Sequence, residues 1–270
     1  MKNILLLLSA AVVAETIRSR RLSVVRYKVY TNKIKGKIRL ALLSDLHSFS
    51  HGIGQKKLIN AIDSAKPDLI MMAGDIADHI IPHTNTKILL RKLGSYPIYY
   101  VTGNHEYKSG EIREIKRFFR ELGADVLEGV SRKVTVGNNK INVCGVDDAI
   151  IGMKRFKEQL RHCHRQMDEK LFTVFLTHRP EKIDLYNKLN FDLILTGHCH
   201  GGQVRIPRIT NGFYAINQGF NPKYVGGFYN IGEYGDRNMV VSRGLSKSTR
   251  GFPRVFNRPE LVVVDVCGEG

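Results

Sequence analysis

Five short apolar runs, each closed by a fragment of Asp, His, Asn or Gly, constrain this chain more than any other feature. The runs are Ile38–Leu43, Leu69–Ala73, Ile98–Val101, Leu171–Leu176 and Phe191–Leu195. Their lengths suit buried strands. The fragments that follow are Asp45-Leu46-His47, Gly74-Asp75, Gly103-Asn104-His105-Glu106, Thr177-His178 and Gly197-His198-Cys199-His200-Gly201-Gly202. Loops at the carboxyl ends of strands are where α/β sheets gather groups for chemistry. One Asp-x-His or one strand-end His arises by chance and usually serves structure; five in order predict an assembled site.

Oxygen and imidazole donors without a thiolate set suit Mn²⁺, Fe or Zn²⁺ better than a Cys-rich structural zinc does. A carboxylate shared by two ions roughly 3.5–4 Å apart would clamp the attacking and leaving oxygens of a phosphoryl group. At this point the chain resembles the calcineurin-like metallophosphoesterase superfamily, whose pattern D-x-H, G-D, G-N-H-E/D, H and G-H-x-H stands complete and in order within residues 38 to 266. The resemblance implies an α/β sandwich of two mixed β-sheets flanked by helices, with the site on loops at one edge. It implies that one divalent ion takes Asp45, His47, Asp75 and His200, and a second takes Asp75, Asn104, His178 and His198, with Asp75 as the bridge. It marks His105 as a catalyst outside the ligand set, beside the scissile phosphate. The longer surroundings Gly197 to Pro207, Asn217-Gln218-Gly219 and Ser242-Arg243-Gly244-Leu245 are similar to the bacterial branch of membrane-associated phosphodiesterases and UDP-2,3-diacylglucosamine pyrophosphatases.

Two positions depart from that branch. Cys199 stands where Thr is usual, and Ser246 where a second Gly is common. Alternation aims Cys199 away from the face that carries His198 and His200, so a packed thiol is expected there.

Elsewhere the pattern predicts alternating elements. Leu58, Ile59, Ile62 and Ala65 share one face of a helix over about 54–65, and further helices are expected near 84–94 and 110–122. From Asp125 onward strands dominate, near 132–136, 140–146, 171–176, 191–196, 213–217, 239–242 and 261–266, with a polar helical stretch from Met153 to Glu169. Gly52-Ile53-Gly54 lacks the lysine and spacing of a P-loop and reads as a turn. Asp78 either hydrogen-bonds a ligand histidine from outside the metal site or serves as a cap or solvent-facing group.

Length and charge set the organisation. With 270 residues, 43% apolar and 25% charged, the chain suits one large core without repeats. Residues 36–270 are expected to form the phosphoesterase domain and residues 1–35 an apolar and basic membrane-associating segment. Ile4 to Ala14 is shorter than the roughly twenty residues of a spanning helix. One option is a signal-peptide core cleaved after Val12-Val13-Ala14, which would give a secreted chain. The favoured option is an uncleaved helix inserted shallowly on the cytoplasmic face, with the arginines after it on lipid headgroups. A formal charge of +17 favours anionic partners: phosphoester substrates, acidic lipid surfaces or nucleic acid. Basic residues crowd the first forty positions, from Arg18 to Arg39, and recur from Arg205 to Arg258. Cys144, Cys163, Cys199 and Cys267 lack C-x-x-C spacing and read as free thiols. His162-Cys163-His164 lies on the polar helix, where neighbours two apart diverge, so no metal cluster is expected there.

The reaction expected is hydrolysis of a phosphodiester or pyrophosphate, of a lipid-linked or membrane-proximal substrate, by a metal-bridging hydroxide. No Ser-His-Asp or Cys-His set competes with it. A nuclease of the same superfamily would explain the charge, but nucleic acid is disfavoured because no added DNA-binding segment is evident. A phosphomonoesterase acting as a protein phosphatase is the other enzymatic alternative. A scaffold that has lost its metals conflicts with the complete ligand set.

Overall fold

The structure is a computed structural model that describes residues 21–206, 209–233, 235–249 and 252–269. Strands buried on both faces read as continuous apolar runs, and alternate residues then serve different layers. In β2 (Lys37–Leu43) and β3 (Leu69–Ala73), Ala41, Leu43, Ile70 and Met72 face a core beneath helices, while Leu40, Leu42, Leu69 and Met71 face the opposite sheet. The helices over that outer core are α1 (Lys56–Ala65), α2 (Thr84–Lys92) and, after the short α3 (Asn104–Lys108), α4 (Ile112–Glu121).

The first six-stranded sheet also holds β1 (Ser23–Thr31), β4 (Ile98–Val101), β5 (Ala124–Val126) and, at the far end of the chain, β16 (Glu260–Gly268). Its order is β1-β16-β2-β3-β4-β5, with β16 antiparallel to β2 and the strands from β2 to β5 mutually parallel. The second sheet is built from β6 (Val130–Val136), β7 (Asn139–Gly145), β8 (Phe172–Leu176), β9 (Leu193–Thr196), β12 (Gly227–Ile231) and β13 (Arg237–Val241), in the order β12-β13-β9-β8-β7-β6. In it β7, β8, β9 and β13 are parallel, while the edge strands β6 and β12 pair antiparallel. Both sheets are therefore mixed, as the sequence resemblance implied. The outer face of the second sheet is covered by α5 (Met153–Gln166) and α6 (Ile183–Tyr186); Phe156, Leu160 and Cys163 of α5 pack on Cys144, Phe175 and Met239.

Two expectations are corrected. Residues 23–31, expected within the N-terminal basic segment, form the edge strand β1, whose Val25, Tyr27 and Val29 turn inward while Arg26, Lys28 and Tyr30 are exposed. Charged side chains on an edge strand also discourage pairing with other chains. The strand expected over 213–217 is only β10 (Tyr214–Ala215), paired with β11 (Gly219–Phe220) in a small hairpin, and β14 (Ser248–Thr249) pairs with β15 (Phe252–Pro253) likewise. Strands β5 and β12 are additions that the sequence pattern does not announce. The segments Ile4 to Ala14, Arg18 and Arg20 lie outside the described residues, and no described helix is long and apolar enough to cross a membrane.

Candidate metal centre

The parallel strands of both sheets end at one edge, and the loops beyond them continue the ladder for a few residues. Asp45 N–H donates to the Gly74 carbonyl (3.0 Å), His47 N–H to Asp75 (2.9 Å), and Gly197 N–H to His178 (3.1 Å). The two sheets are joined here by Ser246 N–H donating to the Asp45 carbonyl (2.7 Å). Asp45, His47, Asp75, His198 and His200 all sit at positive φ, between 47° and 73°. Non-glycine residues adopt that region at a cost, and such strain collects where function fixes the backbone. Gly74 is demanded by both conformation and space: its φ is +80°, and a Cβ there would lie 2.7 Å from His178 Nδ1.

The expected ligands meet in two buried clusters, Asp45 with His47 and His200, and Asp75 with His178 and His198. In the first, His47 Nε2 lies 3.4 Å from His200 Nε2, which lies 3.5 Å from Asp45 Oδ1. In the second, His178 Nε2 lies 3.2 Å from Asp75 Oδ2 and 3.1 Å from His198 Nδ1. The same Asp75 Oδ2 stands 3.8 Å from His47 Nε2, so this one oxygen adjoins both clusters. Asn104 Oδ1 is buried and accepts no hydrogen bond. Orphaned buried carbonyl oxygens are rare in folded proteins, and a cation would satisfy this one.

Each imidazole is held from behind. His47 Nδ1–H donates to Asp78 Oδ2 (2.8 Å) and His178 Nδ1–H to the Ala73 carbonyl (2.7 Å), which directs the two Nε2 atoms at the clusters. His200 Nδ1 meets Ser246 Oγ at 3.1 Å, and Ser246 Oγ accepts from the buried Arg254 guanidinium (3.1 Å). His198 Nε2 lies 3.1 Å from Asn217 Nδ2. Burial drives His198 and His200 well below the ordinary imidazole pKa, so both are neutral, as ligation requires. Burial also opposes charge on His178, but the Asp75 carboxylate overrides it and lifts His178 to about 10. That proton compensates Asp75, and a metal ion would take its place.

Glu106 organises the floor. Its buried carboxylate accepts backbone N–H groups from Gly103 (2.9 Å), Asp75 (3.0 Å), Ile76 (2.8 Å) and Ala77 (3.0 Å), tying the Asp75 loop to the Asn104 loop. His105 forms a third group with His47 and Asp78, apart from the two clusters that gather the expected ligands: Nδ1 donates to Asp78 Oδ2 (3.0 Å) and its backbone N–H donates to Asp75 Oδ1 (2.8 Å). Asp78 is the group outside the metal site that holds a ligand histidine, and it is neither a helix cap nor solvent-facing: its other oxygen accepts the turn N–H groups of Ile80 (2.8 Å) and Ile81 (3.0 Å). Burial opposes its ionisation, yet the bonds from His105 and His47 hold the carboxyl well below the usual range. Cys199 is buried with Ala215 and Val225, and its Sγ accepts from Gln218 Nε2 (3.2 Å). His79, Ser246, Arg254 and Asn217 are not singled out by sequence as site residues. His79 Nδ1 lies 2.8 Å from His105 Nδ1, and the visible signals among the four are the unusual Ser246 and the Asn217-Gln218-Gly219 fragment.

Comparison with known proteins agrees with this geometry. The sequence pattern of the calcineurin-like phosphoesterases matches residues 38–202. YpbG of Bacillus subtilis is 27% identical over 247 residues, covering 88% of this chain and 85% of its own length. A Campylobacter jejuni protein named as an uncharacterized metallophosphoesterase is 29% identical over 251 residues, which span 87% of this chain and 61% of the relative. A Caenorhabditis elegans protein with a metallophosphoesterase name is 32% identical over 66% of this chain, but only 40% of the relative is covered. Among solved structures, NAD nucleotidase of Haemophilus influenzae superposes with a TM-score of 0.52 at 15% identity, covering 78% of this chain and 46% of that one, a likeness of fold alone. The match spans more than half of the chain and includes the whole of both buried clusters, and the chain belongs to the calcineurin-like phosphoesterases, a family of metal-dependent phosphoester hydrolases.

Proposed function

We propose that the chain hydrolyses a phosphodiester or pyrophosphate bond of a lipid-linked or membrane-proximal substrate, in the manner of the bacterial membrane-associated branch it resembles. The observation that carries the reading is the position of Asp75 Oδ2 between the two clusters, 3.8 Å from His47 Nε2 and 3.2 Å from His178 Nε2. On this reading Asp45, His47, Asp75 and His200 hold one divalent ion, and Asp75, Asn104, His178 and His198 hold another, from among Mn²⁺, Fe and Zn²⁺. Such a pair, when bound, lowers the pKa of water and offsets phosphoryl charge.

The chain's own groups supply the rest. Asn104 contributes a neutral oxygen, which keeps the centre hospitable to an anion. Asp78 anchors His105 through Nδ1, so Nε2 is the atom that presents a proton to the departing oxygen. Glu106 fixes the loops that carry Asp75 and Asn104 relative to each other. The basic surface and the N-terminal segment together suit peripheral attachment to an anionic membrane, on the cytoplasmic face.

A hydrolysis screen with Mn²⁺ across soluble diesters, monoesters, pyrophosphates, DNA and RNA tests this reading. Turnover led by diesters or pyrophosphates is expected. A lead by phosphomonoesters or phosphopeptides would make the chain a phosphatase, and salt-sensitive cleavage of nucleic acid would make it a nuclease.

A further inference from the structure

Thirteen large apolar residues are exposed on the described surface, and seven of them belong to one small unit beside the metal centre: Ile206, Ile209, Phe213, Tyr214, Ile216, Phe220 and Phe256. The unit is compact. Phe213 N–H donates to the Val204 carbonyl (2.9 Å), Val204 bridges to Val255, and Tyr214 stands opposite Phe220 in the β10–β11 hairpin. The ring of Phe220 packs edge-on against Phe213 (5.3 Å) and Tyr214 (5.4 Å), yet Phe220 remains 71% exposed and Ile209 79%. The core beneath this unit is limited to Cys199, Ala215 and Val225. Its apolar side chains thus project from turns instead of lining a groove.

Two further facts bear on what they meet. Residues 204–232 contain no carboxylate, while Arg205, Arg208 and Lys223 supply positive charge. The hairpin's own turn residue, Asn217, reaches the metal centre, its Nδ2 lying 3.1 Å from His198 Nε2.

We infer that this aromatic rim is a docking surface for an anionic lipid bilayer. Protruding aromatic and aliphatic side chains on a segment with cations and no carboxylate suit the headgroup–acyl boundary, which accepts them without a shaped counterpart. A protein partner would have to supply complementary shape for each projecting side chain. Apolar patches of this kind mark interaction sites rather than ordinary surface. Docked this way, the rim sets the edge that bears His198 against the headgroup layer, where a lipid-borne phosphoester lies. The inference rests on the proposed membrane-proximal hydrolysis for that consequence, while the docking itself is separately measurable.

The chain has no tryptophan, so Phe220→Trp in the full chain gives a single indole emission from the rim. With vesicles of phosphatidylglycerol and phosphatidylcholine, that emission should shift to the blue and be quenched by acyl-brominated lipid, more strongly than with phosphatidylcholine alone. Phe213→Ser/Phe220→Ser should weaken hydrolysis of a phosphoester lipid presented in vesicles by about 10-fold or more, on the scale of two lost apolar side chains, and leave a soluble diester unaffected. The inference is overturned if the indole emission of Phe220→Trp stays constant while the protein co-sediments with the vesicles, because the contact then lies elsewhere. It is equally overturned if the double-serine variant loses a dimer seen in lipid-free solution and keeps its vesicle activity. Failure of the catalytic reading would appear instead as no soluble-diester turnover in the unmodified chain, with the emission shift of Phe220→Trp intact.

Discussion

The floor and the rim of the metal centre are built on opposite principles. On the floor, Asp45, His47, Asp75, His178, His198 and His200 are buried on the ends of strands locked into six-stranded sheets, and each imidazole is held from behind. At the rim, Tyr214 and Phe220 stand on a two-residue ladder, with Phe213 just before it, over little core and exposed to water. A floor so constrained leaves its donors one arrangement, as metal binding and phosphoryl chemistry demand. On the docking inference the exposed side chains of so lightly supported a rim set substrate presentation, while Asn217 of the same hairpin stays tied to His198. The comparison predicts that floor substitutions damage turnover on every substrate, whereas substitutions of the exposed rim side chains Phe213 and Phe220 act through the membrane.

The largest effect short of the ligands themselves belongs to His105. His105→Ala should keep its metal content and lose roughly 10²–10⁴-fold in turnover on substrates with alkoxide leaving groups, and less on nitrophenyl diesters, whose leaving group needs little protonation. Equal losses on both substrate types would reassign His105 to holding the phosphate. Next is Asp78→Asn. An amide cannot accept from both His47 and His105 while also capping Ile80 and Ile81, so one contact set must fail. Metal affinity or turnover should fall roughly 10- to 100-fold. Wild-type values in metal titration and kinetics would mean that the floor tolerates a loosened imidazole, against the contrast drawn above.

A smaller effect tests the floor's support through pH. His51 donates from Nε2 to the Leu245 carbonyl (2.7 Å), and burial pushes its pKa down to about 4 from 6.5. The folded chain therefore binds that proton more weakly than the unfolded chain. Stability from this group is full above about pH 6.5 and declines as pH falls towards 4, by up to about 3 kcal/mol. Denaturation of wild type and His51→Gln across that window should show a steeper loss in wild type; parallel curves would refute the assignment. The smallest effect is expected from Cys199→Thr, which replaces a packed thiol and should retain metal and most turnover. A clear fall in bound metal would bring sulfur into the ligand set.

The α/β character and the fragments at strand ends are legible in sequence because both are written locally: a run of apolar residues makes a strand, and the next few residues must lie at its end. The two-sheet arrangement and the sharing of ligands between two ions come only from the family resemblance. What stays hidden depends on long-range closure. Arg254 and Ser246 reach His200 from 54 and 46 residues away, and no periodicity announces that contact. β1 is obscured because an edge strand carries Arg26 and Lys28 on its exposed face and so resembles a basic tail. The strand expected over 213–217 is cut short for the opposite reason, since Phe213, Tyr214 and Ile216 are exposed and neither six-stranded sheet recruits them. Thus the floor is mostly readable, and the rim is not.

The most direct test of the central claim is metal analysis of the Mn²⁺-reconstituted wild type beside Asp75→Asn, with turnover of a soluble diester measured on the same samples. The account predicts two ions per wild-type chain, and in Asp75→Asn a joint loss of bound metal and activity, because one carboxylate oxygen serves both clusters. Full activity in Asp75→Asn, or a wild type that remains fully active after thorough chelation, would contradict it.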